Sequence, residues 1–196
     1  MGAVRVADLI NQLHHEDGRV RFWAADGLLR LAIQGAPGVE SAIPSLIESL
    51  TDSDHPVGDR ANWALGVLGE PALQALITAT RSGSIPSRQM ALRALGCYTD
   101  HARTRVDVLL ASLRDETLEI RKAAAQAICS LAQEIGLGGR SATNRQRPEG
   151  YDLEDATVLS VLQETLKQLV RNDELNNPPF TERALNWIAR VTGSSG

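Results

Sequence analysis

Four stretches of this chain align without gaps: Val20-Arg21-Phe22-Trp23-Ala24-Ala25-Asp26-Gly27-Leu28, Val57-Gly58-Asp59-Arg60-Ala61-Asn62-Trp63-Ala64-Leu65, Ser87-Arg88-Gln89-Met90-Ala91-Leu92-Arg93-Ala94-Leu95 and Ile120-Arg121-Lys122-Ala123-Ala124-Ala125-Gln126-Ala127-Ile128. A weaker fifth is Phe180-Thr181-Glu182-Arg183-Ala184-Leu185-Asn186-Trp187-Ile188. One column is Ala throughout: Ala24, Ala61, Ala91, Ala124 and Ala184, separated by 37, 30, 33 and 60 residues. Three residues on stand Gly27, Ala64, Ala94 and Ala127, with Trp187 breaking the rule, and the next column is Leu28, Leu65, Leu95, Ile128 and Ile188. Small residues at i and i+3 let a neighbouring helix approach closely, and the adjacent Leu or Ile fills the seam.

A second apolar stripe precedes each of these stretches. The stripes are Leu9, Ile10 and Leu13; Ile43, Leu46, Ile47 and Leu50; Leu73, Leu76 and Ile77; Val106, Leu109, Leu110 and Leu113; and Leu159, Leu162, Leu166 and Leu169. Each keeps the three-and-four spacing of a buried helical face. Turn chemistry lies between the two helices of a unit, at Asp17-Gly18, at Asp52 to Pro56 and at Ser82 to Pro86. Pro56, Pro86 and Pro179 share one column, where a first-turn proline gives up only an N–H that has no intrahelical partner. A helix pair of roughly 30 residues cannot bury its own apolar face, so such units must stack.

The patterns Leu-x-x-x-Asp-x-x-Val-Arg-x-x-Ala-Ala-x-x-Leu in Leu13 to Leu28, and Leu-x-Asp-x-x-x-x-Ile-Arg-x-x-Ala in Leu113 to Ala124, resemble HEAT repeats of the short bacterial type. The reading is all-α: a right-handed α-solenoid of about five stacked HEAT-like helix pairs, forming a single domain over 1–196. The units fall near 4–35, 41–69, 71–98, 103–133 and 155–192, with a flexible inserted loop over 136–154. That insertion starts at Gly136 and holds three Arg and almost no apolar residue, so it is either a tolerated insertion or a partner-contacting arm. The resemblance implies ladders between the turn Asp of one repeat and the second-helix Arg of another. Arg21, Arg88 and Arg121 keep the Arg position, while Gly58 and Thr181 interrupt it.

Composition agrees. The chain of 196 residues holds 25 Ala and 26 Leu, both strong helix formers, and only 4 % aromatics, too few for a β-rich domain of this size. No apolar run approaches the ~18 residues that span a bilayer. The opening Met1 to Val6 has no long apolar region of a secretory signal, and Val6 rules against myristoylation at Gly2. The expectation is a soluble, cytoplasmic protein with reduced thiols at Cys97 and Cys129. With 20 basic against 24 acidic residues the net charge is −4, which disfavours nucleic acid and anionic membranes as partners.

Catalytic patterns are scarce, and the expectation is a chain that is not an enzyme and has no catalytic residues, no cofactor and no metal. His14-His15-Glu16 is one His-Glu pair, whereas the HEAT-like di-iron hydroxylases use several facing pairs. No Gly-x-Ser-x-Gly elbow and no phosphate-cradling Gly-Lys-Ser/Thr is present.

Binding gives the sharper expectation. Relative to the Ala column, positions −1, +2 and +6 share one helix face. They hold Trp23, Asp26, Arg30; then Arg60, Trp63, Val67; then Met90, Arg93, Cys97; then Ala123, Gln126, Ser130; then Arg183, Asn186, Arg190. Trp, Arg and Met are enriched in binding hot spots, and they concentrate in the first three units. The resemblance places the second helices on a concave groove, so Trp23, Asp26, Arg30, Arg60, Trp63, Met90 and Arg93 form the candidate groove for a partner protein's peptide or helix. Trp23, Trp63 and Met90 would anchor it, and Arg60 and Arg93 would pair with its acidic side chains. In the competing arrangement, Trp23 and Trp63 pack between stacked helices beneath Arg60 and Arg93. Two other functions share the repeat type: a HEAT-like DNA glycosylase using Trp23, Asp26, Trp63 and Arg93, and a bilin lyase subunit. The protein scaffold ranks first, as a monomer or a weak homodimer through Trp187 and Ile188.

Overall fold

The computed structural model describes residues 2–98 and 100–136, together with 164, 167 and 168. The fifth repeat, most of the insertion, and Trp187 and Ile188 lie outside the described residues. The chain forms two compact units, Met1–Ala91 and Leu92–Gly196. Among the described residues there are helices and turns and no strand.

The first unit holds α1 (Gly2–Gln12), α2 (Gly18–Ile33), a 3-10 turn (Val39–Ala42), α3 (Ile43–Ser49), α4 (His55–Leu68), α5 (Glu70–Ala79) and the start of α6 (Ile85–Leu95). The helices α2 and α4, second members of their pairs, pack along one another, α1 backs α2, and α3 backs α4. The repeat columns make this packing. Ala24, Ala61 and Ala91 are wholly buried, as is Leu28, and Leu65 is 2 % exposed. On the paired first helices Leu13, Ile43, Leu46, Leu50, Leu73 and Leu76 are buried, while Leu9, Ile10, Ile47 and Ile77 are half-buried at the rim. Each fully buried Leu contributes about 1.5–3 kcal/mol relative to exposure, so the columns dominate the unit's stability.

Local chemistry sets the helix ends. The Asp17 carboxylate accepts from the Arg19 N–H (2.8 Å) at the start of α2. At its other end the Ala36 N–H reaches the Leu31 carbonyl (2.9 Å) and the Gly35 N–H the Ala32 carbonyl (3.0 Å). Gly35 has φ of +62°, the left-handed turn that a glycine adopts without strain. Pro44, Pro56 and Pro71 stand in the first turns of α3, α4 and α5, and Pro86 is the second residue of α6.

The second-helix arginines close the turns. Arg21 Nη1 donates to the carbonyls of His15 and Glu16, both at 2.9 Å. Its Nε and Nη2 grip Asp52, in the turn before α4, at 2.7 and 2.8 Å. That bidentate pair is the ladder rung the HEAT resemblance implies. Arg88 donates from Nε to the Thr80 carbonyl (2.8 Å). At Gly58, which lacks the Arg, an added Cβ would lie 3.3 Å from the Leu50 carbonyl oxygen, so the backbone before α4 comes close to this position.

The second unit, from Leu92, continues α6 and holds α7 (Ala102–Ser112) and α8 (Leu118–Gly136), which pack together. Ala124 and Ile128 are wholly buried, and Ala94, Leu95 and Ala127 are at most 3 % exposed. Arg121 Nη1 straps the carbonyls of Asp115 (2.8 Å) and Glu116 (3.0 Å), repeating the Arg21 arrangement. Buried Arg105 donates to the carbonyls of Asp100 (2.6 Å) and Leu95 (3.3 Å) and lies over the Tyr98 ring. The helix α8 includes Gly136, where the insertion was expected to begin.

Candidate functional site

In the first unit, the outward ridge of α2 and α4 carries a cluster built around Arg60. Its guanidinium carbon sits 4.7 Å from the centroid of the Trp63 ring and 5.4 Å from that of Phe22. Phe22 in turn meets Trp23 edge to face, with centroids 5.2 Å apart and an interplanar angle of 75°. A cation over two aromatic faces gains roughly 0.5–1 kcal/mol per contact at such exposure. The rings are thereby held in defined positions while their outer faces stay open. Trp23 is 62 % and Trp63 47 % exposed, so neither is packed away between repeats.

Asp26 is a buried carboxylate in the middle of α2. One turn on, Arg30 donates from Nε to Asp26 Oδ2 at 2.7 Å. The Nε of Arg60, on the next second helix, lies 3.5 Å from the other carboxylate oxygen. A buried charge without partners is expensive, so Asp26 depends on these two cations and holds their guanidiniums side by side.

Five of the seven expected groove residues therefore form one cluster: Trp23, Asp26, Arg30, Arg60 and Trp63. It is complete within α2 and α4. Met90 is half-buried on α6 of the same unit, and Arg93 is exposed in the second unit. Two members were missed by sequence reasoning. Phe22 faces Arg60 from the position before Trp23 and lies outside the −1, +2, +6 columns. Ile33, 65 % exposed, continues the ridge of Trp23, Asp26 and Arg30 by the same three-and-four step, and extending the column once more would have found it. In the fourth repeat the corresponding positions carry no such cluster: Ala123 is buried and Gln126 exposed.

Among the described residues no group of three or more His, Cys, Asp or Glu is placed to hold a metal ion. Burial pushes the Cys129 thiol up to about 12, so it carries no thiolate at neutral pH. No helix of the described residues is long and apolar enough to cross a membrane.

Family models describing HEAT repeats match residues 6–95 and residues 106–135. The chain is a HEAT-repeat protein. Both matches lie on the helix pairs described above. No curated protein matches the sequence. Among solved structures, an engineered protein aligns over 94 % of this chain and 98 % of its own, with 19 % identity and a TM-score of 0.40. The CpcE–CpcF complex of phycocyanin lyase from a Nostoc species aligns over 95 % and 94 %, with 16 % identity and a TM-score of 0.33. Human deoxyhypusine hydroxylase, in complex with glycerol, aligns over 99 % and 77 %, with 17 % identity and a TM-score of 0.36. Likenesses this distant carry nothing about activity.

Proposed function

We propose that this HEAT-repeat protein is a non-enzymatic binding scaffold, and that the α2–α4 ridge of its first unit receives a peptide or helix of a partner protein. One observation carries the reading: two tryptophans on neighbouring second helices stay about half exposed or more while Arg60 and Phe22 fix them in place. Clustered exposed aromatics mark interaction surfaces, and a preorganised cluster loses little conformational entropy on binding. Asp26 is the carboxylate that a nucleotide-processing site would use. Its engagement by Arg30 and Arg60, with the net charge of −4, favours protein over nucleic acid as the partner.

The test is affinity capture with the wild type and with Trp23→Ala/Trp63→Ala, each with and without nuclease, alongside urea unfolding. The double substitution is expected to abolish capture, indifferent to nuclease, and to cost under about 1 kcal/mol per site in stability because both rings are exposed. Leu65→Ala, in the buried column, is expected to cost about 2–5 kcal/mol. Undiminished capture by the double variant, or a loss of stability like that of Leu65→Ala, would overturn the reading.

A further inference from the structure

We infer that the occupant of this ridge is a carboxylate-rich peptide, bound through the paired guanidiniums of Arg30 and Arg60; the inference rests on the protein-binding reading above. Both arginines face Asp26 through Nε, at 2.7 and 3.5 Å. Among the described residues, the Nη1 and Nη2 groups of both make no hydrogen bond. Each guanidinium therefore keeps its terminal edge, with four N–H groups, available to an incoming acceptor. The side chain of Arg30 is 68 % exposed and that of Arg60 30 %, so one edge is open and the other stands at the rim of the rings.

Like charges repel, and two guanidiniums stay adjacent here only because they share one buried carboxylate. That leaves one positive charge in excess, on a chain whose net charge is −4. An arginine edge matches a carboxylate in two parallel hydrogen bonds, a geometry that a lysine does not offer. Arg60, over the Trp63 and Phe22 rings, is the more sheltered of the two, so a carboxylate on its edge is screened less by water. The complementary segment sets apolar side chains against Trp23, Ile33 and Trp63 and places Asp or Glu against Arg30 and Arg60. A phosphodiester strand fits less well, because it asks for many distributed cations and this ridge supplies two.

The probe is a displayed library of random peptides of about 15 residues, selected on the immobilised full chain. A fluorescein-labelled oligothymidylate is titrated in parallel. Against the wild type, the selected pool is expected to gain Asp and Glu, and a selected peptide is expected to bind about tenfold more tightly than its Gln-substituted form, the scale of a charge-assisted pair. Arg30→Gln/Arg60→Gln is expected to erase that preference, so that the acidic peptide and its Gln form bind this variant equally. Trp23→Ala/Trp63→Ala is expected to weaken both forms equally. A pool without acidic bias whose binding still needs the tryptophans overturns this inference alone. A pool indifferent to the tryptophans overturns the protein-binding reading as well. Empty selection, a basic pool, or tight oligothymidylate binding lost in the arginine variant likewise overturns the carboxylate assignment.

Discussion

Gly96→Ala is the substitution whose sign the second unit decides most sharply. Gly96 has an ordinary negative φ, so on backbone grounds alanine should stabilise by about 0.4–1 kcal/mol through the unfolded chain. The tertiary structure opposes this. A Cβ at residue 96 would stand 2.6 Å from the carbonyl oxygen of Ala127, 2.8 Å from its Cα and 3.0 Å from its Cβ. These are mostly backbone atoms of α8, which no rotamer change can move. Overpacking typically costs about 1–3 kcal/mol, and a backbone clash belongs at the upper end. The net expectation is a loss of about 2 kcal/mol, or roughly 4–8 °C in Tm for a chain of this size. Gly27→Ala is the matched control. Its Cβ would meet Leu9 Cδ1 and Cδ2 at 3.1 Å, the far end of a flexible side chain that can turn aside, so its cost is under about 1 kcal/mol of either sign. Urea and thermal unfolding followed by circular dichroism would read both variants against the wild type. If Gly96→Ala unfolds at or above the wild-type midpoint, the close approach of residue 96 to α8 is not a constraint, and the reasoning fails.

Two further outcomes follow from groups held away from their ordinary ionisation. Hydrogen bonding from Arg21 holds the Asp52 carboxyl below its usual value near 3.8, so its contribution is present above that pH and is lost as pH falls through the lower folded value. The stability deficit of Asp52→Asn should therefore be full near neutrality and shrink below about pH 4; urea midpoints showing a constant deficit down to pH 2 would refute the linkage. Burial pushes the Cys129 thiol up to about 12, so at pH 8 a thiol reagent should modify it only after unfolding. Rapid labelling of Cys129 in the native protein, read by mass spectrometry, would contradict its burial.

The repeat was legible because its columns answer to local periodicity. An Ala at one register with Leu four residues on specifies a helix face that a neighbour can approach, and Ala24, Ala61, Ala91 and Ala124 are all wholly buried where that argument puts them. The first-turn prolines Pro56 and Pro86 and the second-helix arginines Arg21, Arg88 and Arg121 were equally readable, since the carbonyls those arginines strap lie within eight residues along the chain. The Arg21–Asp52 rung, spanning 31 residues, came from the HEAT resemblance rather than from the pattern.

Sequence alone thus determined that this chain is built of HEAT-like helix pairs, and that Trp23, Asp26 and Arg30 share one face of α2 while Arg60 and Trp63 share one face of α4. The tertiary structure decided what those ridge residues do to one another. Spacing could not reveal that Asp26 would be buried between Arg30 and Arg60, that Phe22 would complete the platform under Arg60, or that Trp23 and Trp63 would remain exposed. These depend on how far apart α2 and α4 stand and how they are rotated, and thus on the packing of side chains distant in sequence. Gly96 shows the same limit: nothing beside it in the chain announces α8, yet the absence of its side chain is what lets Ala127 come so near.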